Sequence, residues 1–122
     1  MTKRTRGEQE AEITSAIIKL EKEFLGRGPH EARTFFVDDM IVIRLRGILT
    51  PAEIRLATTP DGIELVKRTR QQLMESARDQ LEGIVRQVIG GRLVCMHTDI
   101  SIRADERVII LTVDAPLDRK PV

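Results

Sequence analysis

The densest set of potentially reactive side chains in the sequence lies between Cys95 and Ser101. His97 and Asp99 are two residues apart, so on a β-strand they share one face about 6 to 7 Å apart, where the aspartate could orient the histidine as a base or a metal ligand. Ser101 would lie about 13 Å from His97 on that strand, too far for the contact that a serine nucleophile needs. Cys95 shares the face, but no neighbouring charge or helix terminus that would activate it is evident. The pattern favours a polar or ligand-binding strand face over a catalytic set.

A second candidate is basic. Arg44 and Arg46 share one face of another predicted strand, where they could form a cradle for an anion. Three cations early in a predicted helix could extend that cradle: Lys67, Arg68 and Arg70. The alternative is that the arginines pair with nearby acidic residues: Asp38, Asp39, Asp61 or Glu64.

The two histidines, His30 and His97, are too far apart in sequence to form a recognisable metal-ligand spacing. The sequence therefore predicts no catalytic residue, no cofactor and no metal site. It leaves one candidate site for a ligand or a partner, made of Arg44, Arg46, His97, Asp99 and Ser101.

Composition excludes several classes of protein. The 122 residues carry 20 Lys and Arg against 19 Asp and Glu, so no overall charge attracts nucleic acid or an anionic membrane, and the chain has neither Tyr nor Trp for stacking bases. No apolar stretch approaches the roughly 20 residues of a membrane-spanning helix. The single cysteine, Cys95, excludes an internal disulfide and fits a reducing compartment. We therefore expect a cytoplasmic protein with no nucleic-acid partner and no direct membrane insertion.

The elements that would position these residues follow from hydrophobic spacing. The spacing predicts an amphipathic helix that begins at Glu8 and ends at Gly26. It also predicts a β-hairpin with strands over 33–37 and 40–45 and its turn at Asp38 and Asp39. In that hairpin Phe35 faces Val42, and both faces are apolar near the turn, so either two layers of helix or a second subunit should cover them.

Two helices should follow the hairpin. Thr50, Pro51 and Glu53 predict a capped short helix over 51–57, and Thr59 caps a long helix that continues to Ile89. About 30 residues at 1.5 Å each give a rod of about 45 Å, whereas a domain of this size is only about 35 Å across. Either the rod kinks, near Gly83, or its apolar end packs on another copy. The expected assembly is a homodimer through the long helix.

A second hairpin is predicted over 92–102 and 107–113. One face of its first strand carries Val94, Met96, Ile100 and Ile102, and the other carries Cys95, His97, Asp99 and Ser101. The fold class is therefore α+β, with a four-stranded antiparallel sheet packed by helices. A single domain is expected over residues 8–114, with a flexible basic tail over 1–7 and a C-terminal tail over 115–122.

Several of these motifs, taken in order, resemble the MpsC-like family over about residues 10 to 113. The residues that carry the resemblance are Gly26-Arg27-Gly28-Pro29, the segment from Asp39 to Glu53, Gly62 with Leu65-Val66-Lys67, the segment from His97 to Ser101, and Glu106-Arg107-Val108-Ile109. The family is a group of small bacterial proteins named for a sodium-translocating, membrane-potential-generating system. The resemblance implies a soluble accessory protein that acts through a membrane-protein partner, and it implies no catalytic residues.

The residues and the resemblance together favour an interaction or regulatory protein over an enzyme. The alternative is a small-molecule or ion-binding protein that uses the polar strand face around His97, Asp99 and Ser101.

Overall fold

The computed structural model describes residues 4–117. Its elements are α1 (Arg6–Leu25), β1 (Glu31–Val37), β2 (Met40–Arg46), α2 (Pro51–Leu56), α3 (Pro60–Ser76), α4 (Arg78–Val88), β3 (Leu93–Ser101) and β4 (Glu106–Val113). The four strands form one antiparallel sheet in the order β1-β2-β4-β3. The predicted α+β class and the order of its elements are confirmed.

The ends of the helices lie where the capping residues place them. Gly26 takes a left-handed conformation, with φ of 79°, and ends α1. Thr50 Oγ1 accepts a hydrogen bond from the Glu53 N–H, while the Glu53 carboxylate accepts one from the Thr50 N–H, which completes the predicted capping box of α2. Thr59 Oγ1 caps α3 by accepting from the Gly62 N–H.

The first hairpin has the predicted alignment, in which Phe35 pairs with Val42 and Val37 pairs with Met40. The second hairpin departs from simple alternation at its start. A bulge between Leu93 and Cys95 leaves Val94 55% exposed, whereas Ile100 is buried, so the prediction that Val94 and Ile100 share one face is wrong. The extra residue of a bulge reverses the alternation of the side chains before it.

The core lies between one face of the sheet and the helices, because α1 contacts β1, and both α3 and α4 contact β3. The buried side chains on this face of the sheet are Thr34, Phe36, Ile41, Ile43, Leu45, Leu93, Ile100, Arg107, Ile109, Leu111 and Val113. The helices and the turn at Ala77 add Ile13, Ile17, Leu20, Val66, Met74, Ala77, Leu81, Val85 and Val88.

The predicted 30-residue helix is divided in two at Ala77, where φ is −90° and ψ is 3°. The Ala77 N–H donates to both the Leu73 and Met74 carbonyl oxygens at 3.1 Å, a tightened turn between α3 and α4. Ala77 is buried, whereas a side chain at Gly83, where a kink was expected, would meet nothing within 4 Å. The break keeps the buried stripe of both helices against the sheet. It removes the reason to expect pairing through an overhanging helix, and the homodimer stays a prediction.

The described chain runs past both predicted boundaries of the domain, and the domain division stays a prediction. α1 begins at Arg6, two residues before the predicted domain start, and Leu117 in the predicted C-terminal tail is buried. The remaining parts of both predicted tails, residues 1–3 and 118–122, lie outside the described residues.

Candidate functional site

The face of the sheet opposite the helices, here called the open face, carries sixteen residues in four rows that run across the strands in the order β1, β2, β4, β3. The rows are Glu31, Arg46, Glu106, Ser101; Arg33, Arg44, Val108, Asp99; Phe35, Val42, Ile110, His97; and Val37, Met40, Thr112, Cys95. The first two rows hold three arginines and three acidic residues, and the last two are mostly apolar. Phe35 and Val37 are 41% and 49% exposed. The open face thus has a charged half and an apolar half.

The structure places all five predicted site residues on the open face. Arg44 Nε donates to Glu106 Oε2 at 2.8 Å, and Arg46 Nε lies 3.5 Å from the same oxygen. The two arginines therefore pair with a carboxylate, as one of the two alternatives predicted, although Glu106 was not among the expected partners.

The other three members are spread along β3. Asp99 Oδ1 lies 3.5 Å from Lys67 Nζ, and Ser101 Oγ accepts from the Ala104 N–H at 3.1 Å. His97 Nε2 lies 3.8 Å from Cys95 Sγ. Within residues 4–117, no group of three or more His, Cys, Asp and Glu side chains is placed to hold a metal ion. Ligand binding at these residues stays a prediction.

A second polar site lies on the opposite face of the sheet, under the helices. It consists of Glu21 on α1, Glu53 on α2, Arg70 on α3 and Arg107 on β4, and is here called the buried charge cluster. Arg70 is fully buried, while Arg107 and Glu21 are 3% and 7% exposed. Such residues are almost never buried without partners.

Arg70 is the centre of the cluster. Its Nε and Nη2 each donate to a different Glu53 carboxylate oxygen at 2.6 Å, a bidentate pair, and Nη2 also donates to the Ile48 carbonyl oxygen at 2.7 Å. Nη1 lies 3.9 Å from Glu21 Oε1 and has no hydrogen-bond partner in the described chain. One guanidinium thus joins α1, α2, α3 and the loop after β2.

The two carboxylates differ in their electrostatics. Burial raises the pKa of Glu21, and the charges of Arg107 and Arg70 offset that rise only in part. Burial alone would also raise the pKa of Glu53, but its hydrogen bonds with Arg70 and the Thr50 backbone outweigh burial, so the pKa is lowered. Glu53 is therefore the permanent anion of the cluster.

Arg107 is the least satisfied member. Burial lowers its pKa, and the nearby Glu21 carboxylate opposes that effect. Its Nε is buried and has no hydrogen-bond partner among residues 4–117. On one side Arg107 and Arg70 line a space of about 20 Å³, enough for one water molecule.

On its other side Arg107 lines a groove between α3 and β3, here called the α3–β3 groove, with a volume of about 280 Å³. The groove is lined by Glu64, Lys67, Arg68, Gln71, Thr98, Asp99, Ile100 and Arg107.

Sequence reasoning missed the buried charge cluster, although the signal was present. Arg70 stands four residues after Val66 and four before Met74, in the buried stripe of α3. Arg107 alternates with Ile109 and Leu111 on the inward side of β4. Charged residues of both signs at inward positions of different elements indicate a buried ionic network.

Comparisons with known proteins agree with the sequence-based resemblance. The family model described as "Na+-translocating membrane potential-generating system (MpsC)" matches residues 5–115. The "Uncharacterized protein YbcI" of Bacillus subtilis (strain 168) is 37% identical over 117 residues, which cover 96% of this chain and 94% of the relative. The "Uncharacterized protein YrhF" of the same organism is 33% identical over 111 residues, which cover 89% and 90%. No solved structure matches this chain.

None of the helices within residues 4–117 combines the length and the apolar composition of a membrane-spanning segment.

Proposed function

Since this chain belongs to the MpsC family, we propose that it is an interaction or regulatory protein of a membrane-potential-generating system, and that it works in the cytoplasm as a homodimer paired through the open face. On this proposal the dimer is the form that meets a membrane-protein partner. The observation that carries the proposal is the apolar half of the open face, which no described helix covers.

The apolar half supports pairing because contiguous exposed apolar side chains in a soluble protein commonly mark interfaces. Phe35 and Val37 are largely exposed, and Val42 and Ile110 beside them are half-buried. Two sheets can pack face to face about 10 Å apart with such side chains interdigitated.

The distribution of charge favours a second copy as the occupant. A two-fold axis parallel to the strands places each row opposite the same row of the partner, with the order of the strands reversed. Arg33 then lies opposite the partner's Asp99, and Arg46 lies opposite the partner's Glu106. The apolar rows also meet each other. An axis perpendicular to the strands would instead bury the charged rows against the apolar rows, which is costly.

The size of the face indicates how strong the pairing is. Four strands of seven residues span about 19 Å by 23 Å, which is nearer to a weak, reversible interface than to a permanent one. We therefore expect a dimer with a dissociation constant in the micromolar range, about 1 μM to 100 μM.

Sedimentation velocity over about 1 μM to 500 μM tests the proposal. The wild type should show a concentration-dependent monomer–dimer equilibrium. Phe35→Ser should weaken it at least about tenfold, because each dimer would lose two buried aromatic rings. Leu65→Ser is the matched control, since Leu65 is 46% exposed but lies on α3, away from the open face. A wild type that is monomeric throughout, or equal weakening by both variants, contradicts the proposal.

A charge exchange tests the direction of the axis. Arg33→Asp and Asp99→Arg should each weaken the dimer, because each places like charges opposite one another. The double variant restores opposite charges and should recover most of the affinity. A double variant weaker than both single variants would exclude an axis parallel to the strands.

A further inference from the structure

Arg107 is a buried cation whose hydrogen-bonding capacity the described protein does not use fully. Only 3% of the residue is exposed, and Nε has no hydrogen-bond partner among residues 4–117. The Glu53 carboxylate is bound to Arg70 at 2.6 Å, while the charge of Glu21 acts on both Arg107 and Arg70. Buried donors in folded proteins are nearly always satisfied, so an unsatisfied guanidinium donor calls for a physical reason.

The α3–β3 groove reaches this side chain. Thr98, on the neighbouring strand, also lines the groove, and its Oγ1 is buried without a hydrogen-bond partner in the described chain. Two residues that each carry a buried polar atom without a partner among residues 4–117, Arg107 at Nε and Thr98 at Oγ1, therefore border the same groove. This second observation is independent of the first.

The rim of the groove carries two exposed ion pairs. Lys67 Nζ lies 3.5 Å from Asp99 Oδ1, and Arg68 Nη2 lies 3.3 Å from Glu64 Oε1. Both pairs are largely exposed, and exposed pairs of this kind contribute little free energy, so either cation can turn toward an incoming anion. Counting Arg107, the lining carries three cations and two anions, Glu64 and Asp99.

We propose that the α3–β3 groove binds the oxyanion of a small molecule, a carboxylate or a phosphate group, with Arg107 and Thr98 donating hydrogen bonds to it and Lys67 and Arg68 at the rim. Planar guanidinium groups match both kinds of oxyanion, and a hydroxyl can donate to either. The volume of about 280 Å³ is at the lower limit of ordinary ligand sites, so the ligand is a small metabolite. The groove shares Asp99 with the open face, but Arg107 and Thr98, which would hold the oxyanion, lie on the other face of the sheet, so binding does not require dimer formation.

Calorimetric titration at constant ionic strength, with inorganic phosphate in one series and acetate in another, tests the proposal. Saturable binding of either probe is expected, and the tighter of the two identifies the chemical class. Nuclear magnetic resonance should show the largest ligand-induced shifts at the amides of Thr98 and Arg107. No saturable binding of either anion up to about 10 mM would overturn the proposal.

Variants locate the site. Arg107→Lys keeps the charge but loses the planar fork, and should weaken binding at least about tenfold. Thr98→Val should weaken it about threefold to tenfold without loss of thermal stability, because the hydroxyl it removes has no hydrogen-bond partner among the described residues. Arg86→Gln, which removes an exposed arginine of α4, is the control and should bind like the wild type.

Thr98→Val keeps the test decisive if Arg107→Lys does not fold. Saturable binding that is unchanged in Thr98→Val and produces shifts away from Thr98 and Arg107 would place the anion elsewhere and overturn the assignment.

Discussion

Removing the Glu53 carboxylate should destabilise the protein far more than removing an exposed carboxylate. Glu53 accepts two hydrogen bonds of 2.6 Å from Arg70, which is fully buried. Glu53→Ala would leave that guanidinium with the Ile48 carbonyl oxygen and with Glu21 Oε1 at 3.9 Å from Nη1. Breaking a buried pair by removing one partner typically costs about 3 to 5 kcal/mol. At about 4 °C per kcal/mol for a chain of this size, Tm should fall by about 12 to 20 °C.

The assay is urea unfolding followed by circular dichroism, with thermal unfolding in parallel. Glu64→Ala is the control, because Glu64 and Arg68 form a pair with side chains 71% and 63% exposed, and such pairs contribute less than about 1 kcal/mol. The double variant Glu53→Ala with Arg70→Met removes the uncompensated charge and should recover part of the loss. A cost below about 1 kcal/mol for Glu53→Ala, equal to that of the control, would refute the assignment of a buried ion pair.

Two further predictions concern pH and glycine. Burial raises the folded-state pKa of Glu21 above its ordinary value of 4.5, so the wild type should lose stability as pH rises from 4.5 through that raised pKa. Glu21→Gln removes this dependence, so the unfolding free energy of the variant relative to the wild type should increase with pH across that window. A free-energy difference that stays flat up to about pH 8 would contradict the raised pKa of Glu21. Gly62→Ala should be strongly destabilising, because its Cβ would lie 1.7 Å from the Leu56 carbonyl oxygen. Gly83→Ala, where the Cβ meets nothing within 4 Å, should stabilise the helix by about 0.5 to 1 kcal/mol, and equal effects of the two substitutions in thermal unfolding would contradict this packing.

Features of the fold that depend on neighbouring residues were predictable from the sequence. The capping box at Thr50 and Glu53, the end of α1 at Gly26 and the alignment of the first hairpin all arise from local backbone geometry and short-range hydrogen bonds. The sequence also placed Arg44 and Asp99 correctly on strands, and the alternation of side chains then put both on the open face.

Features that depend on contacts distant in sequence were not predictable in the same way. The break at Ala77 involves neither proline nor glycine at that position, and it follows from the fit of two helices to one sheet. The bulge at Val94 has no local sequence signal. The buried charge cluster of Glu21, Glu53, Arg70 and Arg107 forms only where three helices and a strand meet. The sequence could indicate the inward positions of Arg70 and Arg107, but not which residues they contact.

The attachment of α2 has a consequence for local unfolding. None of its six residues is buried, so its hold on the rest of the molecule is mainly ionic, through Glu53 and Arg70. A pH below the ordinary carboxylate pKa range would protonate Glu53 and release α2, while the apolar core beneath the other helices stays folded. Amide hydrogens of α2 should accordingly exchange with solvent sooner than those of the central strands.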